Sequence, residues 1–282
     1  MANMFNKTTV LCSAAAAVAA FSVLTVAAPA QAGDWLRDRE AAGSIKDAPV
    51  EAKRRCDFSI NIGGTSDYVF RGITQTFEEP AVQGGADVTC GLFYAGVWGS
   101  TVDFGDDILG RSLAPYEVDF YAGIKPTLGP VTFDLGVIYY MYPGARDNNA
   151  FTGVPEFNYV ELKAGVSGSI QKLSLGGTLF WSPDYFAETG NTITLEGSAG
   201  YELPAIGIVT PTISGLIGTT QFLDTAFTNG DYVYWNAGIA LAVDKFTFDF
   251  RYWDSNGGPG DFCGVEDLCD ERFVLTAKVA LP

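Results

Sequence analysis

The chain has 282 residues with 33 acidic and 17 basic side chains, a net charge of −16 and no histidine. That balance excludes a nucleic-acid footprint, which needs clustered cations. The lack of histidine removes the usual base of Ser-His-Asp hydrolysis and the usual partner of cysteine in metal sites, so the sequence predicts neither an enzyme nor a bound cofactor or metal.

Residues 1–32 read as a signal peptide. Lys7 gives the positive start, residues 8–28 are rich in Ala, Val and Leu, and Ala30-Gln31-Ala32 fits a small-x-small cleavage site. Its removal takes Lys7 and no acid, leaving 16 basic against 33 acidic residues, a net charge of −17. Residues 33–56 are charged, lack alternation and run through Lys53-Arg54-Arg55, which predicts a periplasmic segment ahead of the main domain at 57–282. No apolar run of about 18 residues follows, so no transmembrane helix is expected.

From residue 57 the chain alternates with a period of two. Phe58, Ile60, Ile62, Tyr68 and Phe70 share one parity; Ser59, Asn61, Thr65, Asp67 and Arg71 share the other. Twelve strands are predicted, over 57–71, 80–90, 92–104, 115–127, 131–143, 157–169, 173–183, 191–203, 208–221, 231–243, 246–255 and 271–281. Long connections follow the odd strands and tight turns the even ones, the latter at Cys90-Gly91-Leu92, Leu128-Gly129-Pro130, Gln171-Lys172, 204–207 and Asp244-Lys245. Such asymmetry, with one apolar and one polar face per strand, is the pattern of an all-β, transmembrane, antiparallel up-and-down barrel with long external loops and short periplasmic turns. The expected surroundings are outer-membrane lipid and lipopolysaccharide, with a monomer slightly favoured.

A charge facing lipid near the midplane would cost about 2–4 kcal/mol, so the charged parity is expected to line the lumen. The candidates are Asp67, Arg71, Asp103, Glu117, Asp119, Lys125, Asp134, Glu161, Lys163, Glu196, Asp249 and Arg251, with Glu202, Arg272 and Lys278 of the same parity. Asp67 and Arg71 would lie about 13 Å apart along one strand, too far to pair directly, so each is expected to pair elsewhere. Tyr68, Phe70, Trp98, Tyr139, Trp181, Trp235 and Tyr252 are expected in aromatic girdles at the membrane edges. Tyr121, Tyr140, Tyr142, Tyr159, Tyr232, Tyr234 and Trp253 have lumen parity. Acidic residues in two loops (Asp103, Asp106 and Asp107; Asp261, Glu266, Asp267, Asp270 and Glu271) fit no EF-hand spacing and read as solvated surface.

Four cysteines follow the signal, an even count that suits disulfides in an exported chain. Four allow three connectivities. Pairing of the first two strands brings Cys56 near Cys90, and Cys263 and Cys269 share the last long loop, so Cys56–Cys90 and Cys263–Cys269 are expected.

The block Ser66-Asp67-Tyr68-Val69-Phe70-Arg71-Gly72-Ile73-Thr74-Gln75, with Gln83-Gly84-Gly85-Ala86-Asp87 and Gly91 to Ser100, resembles the signature of the TorF family of porins, also described as a Gcw_chp-type bacterial protein. The resemblance runs from about Asp57 to the end and implies a passive outer-membrane channel; it supplies no catalytic or ligand residues. Together with the acid excess it leads to the expectation of a pore for small hydrophilic solutes or ions with mild cation preference. The alternative is a closed barrel whose external loops bind a partner. The chain ends Val279-Ala280-Leu281-Pro282, without the terminal aromatic residue common in outer-membrane barrels.

Overall fold

A computed structural model describes residues 56–107, 109–146, 154–224, 230–257, 263 and 268–281. The predicted signal peptide, most of the 33–56 segment and the loop acids Asp261, Glu266 and Asp267 lie outside the described residues. The strands are β1 (Asp57–Thr65), β2 (Val69–Phe70), β3 (Ile73–Thr74), β4 (Ala81–Cys90), β5 (Phe93–Thr101), β6 (Tyr116–Ile124), β7 (Thr127–Leu128), β8 (Val131–Met141), β9 (Tyr159–Ile170), β10 (Leu173–Tyr185), β11 (Gly190–Glu202), β12 (Thr210–Phe222), β13 (Tyr232–Val243), β14 (Phe246–Ser255) and β15 (Arg272–Leu281).

Antiparallel pairing runs from β1 through β4, β5, β6 and β8, then in order to β15, which pairs back onto β1. The result is a closed barrel of twelve strands. β7 is a two-residue ladder that extends the β6–β8 hairpin towards its turn. Closure gives every wall strand a partner on both sides, the condition for crossing lipid with strands. The short turns place Gly91, Gly129, Gln171, Gly207 and Asp244 at positive φ.

The faces follow the alternation. Phe58, Ile60, Ile62, Phe93, Phe120, Phe133, Leu135, Leu195, Ile213, Ile217, Phe248, Phe250 and Leu275 point outward as an apolar belt. Inside, large residues fit over glycines on the neighbouring strands. A side chain at Gly123 would strike the Tyr94 hydroxyl, and one at Gly218 would strike the Tyr234 ring. The glycine-rich strands are therefore sockets for lumenal tyrosines.

Both expected disulfides, Cys56–Cys90 and Cys263–Cys269, are present. Cys56–Cys90 ties the start of β1 to the end of β4 at the short-turn end of the barrel.

One predicted strand is wrong in its second half. The alternation suggested a strand to Arg71, but β1 ends at Thr65, and residues 67–76 are buried inside the barrel while Ser66 and residues 77–80 stay exposed. Arg71 and Gly72 both have positive φ, 47° and 80°, the signature of a type I′ two-residue turn. They join β2 to β3 as a miniature hairpin. Tyr68 and Phe70 are consequently interior, and Trp98 packs inside against Tyr68, with ring centroids 5.5 Å apart. None of the three belongs to a lipid-facing girdle, whereas Tyr139 does point outward.

Leu135 lies on the outward face of β8, beside Asp134 on the inward face. Leu135→Arg is expected to destabilise the folded barrel by about 2–4 kcal/mol. Asp134→Asn, one residue away, should change it far less; urea titration of heat-modifiable gel mobility distinguishes the two.

Candidate pore and its plug

The barrel interior divides into two zones. Towards the short-turn end it is polar and half-exposed. Tyr94 donates to Asp134 (2.7 Å), whose other oxygen meets Lys163 at 2.7 Å and Lys125 at 3.8 Å. Tyr121 donates to Asp87, and Tyr234 donates to Glu196 (2.6 Å). Arg251 bonds Asp249, Asn236 and Ser214, all at 2.7–3.0 Å. The partial exposure of these clusters and of the small residues between them leaves a charged vestibule at this end of the twelve-strand lumen.

Towards the long-loop end the interior is filled by the 66–80 hairpin and by aromatic residues. The loop that carries the hairpin springs from between β1 and β4, yet Arg71 meets Glu161 on β9 and stacks on Phe180 of β10. In the ring order β10 lies opposite β1, so the hairpin tip spans the lumen. The Arg71 guanidinium makes a two-pronged bond to Glu161, with both N···O distances 2.9 Å, and both side chains are buried. Tyr140 donates a further bond to the same carboxylate, and Arg71 reaches the Tyr185 hydroxyl at 3.3 Å. Phe70, Phe180 and Tyr185 present ring faces to the guanidinium at 4.6–5.8 Å, an arrangement that favours a desolvated cation.

The base of the hairpin is held separately. Asp67 accepts from the Thr74 and Thr76 hydroxyls and from Arg272, which also reaches Glu78 at 3.3 Å. The Thr74 amide donates to the carbonyl of Leu268, next to the Cys263–Cys269 ring, and Asp103 N–H donates to Gln75 O. On the far side Tyr68 donates to Glu117 at 3.1 Å. Glu117 and Asp119 sit one above the other on β6, fully buried, and neither forms an ion pair among the described residues.

The predicted candidates therefore separate. Glu117, Asp119 and Glu161 line the wall at plug level; Asp134, Lys163, Glu196, Asp249 and Arg251 line the vestibule; Lys125 lies at its mouth over the Tyr94 ring. Asp67 and Arg71 belong to the plug and not to the wall, and each pairs away from the other, with Arg272 and Glu161. Asp103 is not in the lumen at all: β5 stops at Thr101, and the exposed Asp103 carboxylate caps the Gly105 amide. In the same loop a hydrogen bond from Arg111 holds the Asp107 carboxyl below its ordinary range. The list omitted Asp87, although its odd parity within β4 pointed inward.

Losing one partner of a buried ion pair strands the other charge. Arg71→Met is expected to loosen the seated hairpin by about 3–5 kcal/mol. The double change Arg71→Met/Glu161→Met should recover most of that, because it leaves no buried charge behind. Native-state hydrogen exchange at the 68–76 amides reads both.

Solved structures align with this chain at low sequence identity. The KdgM porin aligns with a TM-score of 0.50 at 9% identity, covering 79% of this chain and 99% of that one. The NanC porin aligns at 0.46 and 11% identity, covering 78% and 97%. LpxR from Salmonella typhimurium aligns at 0.44 and 9%, covering 79% and 99%. The likeness to the KdgM porin is one of fold. No curated protein matches the chain. A family model described as "Bacterial protein of unknown function (Gcw_chp)" matches residues 50–280, and the chain belongs to that family.

Proposed function

We propose that the protein is an outer-membrane channel for passive diffusion of small hydrophilic solutes or ions. The observation that carries this reading is the charged, glycine-lined vestibule inside a barrel with an apolar exterior. A barrel built only as a scaffold has no need of a wet interior. The chain is exported by residues 1–32 and carries residues 33–56 on the periplasmic side, where the short turns lie. A monomer among lipid and lipopolysaccharide is slightly favoured, with no chemistry performed on the solute.

Acids outnumber bases slightly along the interior. Asp87, Glu117, Asp119, Asp134, Glu161, Glu196 and Asp249 face Arg71, Lys163, Arg251 and Lys278, with Lys125 at the mouth. Rings of one sign favour the counter-ion, which supports mild cation preference. A second reading, a closed barrel acting through its external loops, is favoured by one observation: the plug leaves Arg71 only 2% exposed.

Planar-bilayer recording on the refolded protein decides between them. The channel predicts small, intermittent steps with a cation-selective reversal potential in a KCl gradient. Asp134→Asn/Asp249→Asn should move that potential towards zero, since Lys163 and Arg251 would lose their counter-charges. Silence from protein that still migrates as a folded barrel would establish the closed reading.

A further inference from the structure

We propose that the 66–80 hairpin is the gate of this channel and that the Arg71–Glu161 pair is its latch. The inference rests on the diffusion reading above. Its first support is that the barrel wall closes without the hairpin. β1 and β4 pair continuously from Asp57↔Thr89 to Thr65↔Ala81, and no wall strand takes a backbone partner from β2 or β3. Withdrawal of the hairpin would therefore leave every wall ladder intact.

The second support is the chemistry of the contact surface. Around the plug the wall presents Ser182, Thr192, Thr194 and Thr220 together with Glu117 and Asp119, all buried, interspersed with aromatic residues such as Tyr140, Phe180 and Tyr185. A permanent core at this position would be apolar. A hydroxyl- and carboxylate-lined wall is what a hydrated path needs once its occupant moves. The Ser182 and Thr192 hydroxyls have no hydrogen-bond partner while the hairpin is seated, and water would provide one.

The latch itself is reversible by its nature. A buried ion pair forfeits hydration for its Coulomb attraction, and the two nearly cancel. Arg71 and Glu161 can thus separate into water with little net loss. Arg71 also holds a left-handed backbone at φ 47°, a conformation non-glycine residues rarely keep unless other contacts impose it. The base of the hairpin is anchored differently, by Asp67–Arg272 and by mutual hydrogen bonds between Ser66 and Leu275. Residues 66–67 form the hinge, and the tip swings.

The test uses the full chain in bilayers, with two readouts. Ile73, next to the turn, is buried in the seated hairpin, and the four cysteines beyond the signal are disulfide-bonded, so Ile73→Cys gives one free thiol that a maleimide reaches only when the tip lifts. Glu161→Gln removes the latch charge while keeping its shape; it is expected to raise both the alkylation rate and the open fraction at least tenfold. Excision of residues 66–80, with a two-residue Asn-Gly turn joining Thr65 to Ala81, should conduct without closing. If wild type and excised barrel conduct alike and Glu161→Gln leaves alkylation unchanged, the gate is overturned and the channel stands. If the excised, folded barrel is silent, the diffusion reading falls and the gate with it. Should the excised barrel fail to fold, the Glu161→Gln arm still decides: unchanged alkylation and open fraction overturn the gate.

Discussion

The six residue pairs that join β1 to β15, from Ile60↔Leu281 to Thr65↔Thr276, are the constraint on which the rest of the molecule depends. In lipid an unpaired amide or carbonyl has no water to bond, so a sheet that crosses must close on itself. Closure forces one face of every strand into a lumen of fixed width. Twelve strands enclose more space than their own side chains fill, and this chain fills the two ends of that space differently. At the short-turn end it leaves a half-exposed vestibule braced by ion pairs. At the long-loop end it inserts a piece of its own backbone.

Insertion of backbone creates the next problem. Residues 66–80 bring polar groups into the barrel, and each must be satisfied. Asp67 gathers the Thr74 and Thr76 hydroxyls, Leu268 and Tyr68 carbonyls accept amides of residues 74 and 75, and Arg71 finds Glu161. The arginine is well suited to the tip. Its flat guanidinium can meet a carboxylate edge-on while presenting its faces to Phe70 and Phe180. A lysine could form only a single-point contact there. Gly72 completes the turn for a steric reason as well as a conformational one, since a Cβ at that position would collide with Cβ of Tyr234.

The wall was legible in the sequence because a two-residue period has only one good explanation when it is repeated with alternating loop lengths. Strand 246–255 was placed to the residue, and most others to within one or two. The plug was not legible from the same signal. Tyr68 and Phe70 continue the parity of Phe58, Ile60 and Ile62, so alternation alone cannot distinguish a longer strand from a strand that turns inward. Both geometries alternate; only the partner surface differs. The usable clue was the Arg71-Gly72 dipeptide between Tyr-Val-Phe and Ile-Thr-Gln, which reads as a two-residue hairpin once glycine's tolerance of positive φ is considered. Asp103 failed for the opposite reason: its parity was right, but the strand ended two residues earlier. Which carboxylate each arginine would meet was beyond the sequence, because Arg71 and Glu161 are ninety positions apart and meet only through the ring order.

The placement of charge ties these points together. Apolar packing holds part of the plug, since Tyr68, Phe70 and Ile73 join the buried cluster that contains Phe104, Tyr142, Phe157 and Phe186. The contact across the lumen, however, centres on an ion pair, with the Phe70, Phe180 and Tyr185 rings around the guanidinium and the Tyr140 and Tyr185 hydroxyls bonded to the pair. Ion pairs contribute little net stability when buried, but they impose one geometry, because a guanidinium displaced from its carboxylate forfeits both hydrogen bonds together. That combination favours a plug with a single seated position and a modest barrier to leaving it. The wall supplies Glu161 to that contact, but it is held together by its own backbone ladders and the Cys56–Cys90 bridge, none of which runs through β2 or β3. Stability and mobility are thus assigned to different parts of the molecule: to hydrogen-bonded strands on one side, and to a few charged side chains on the other.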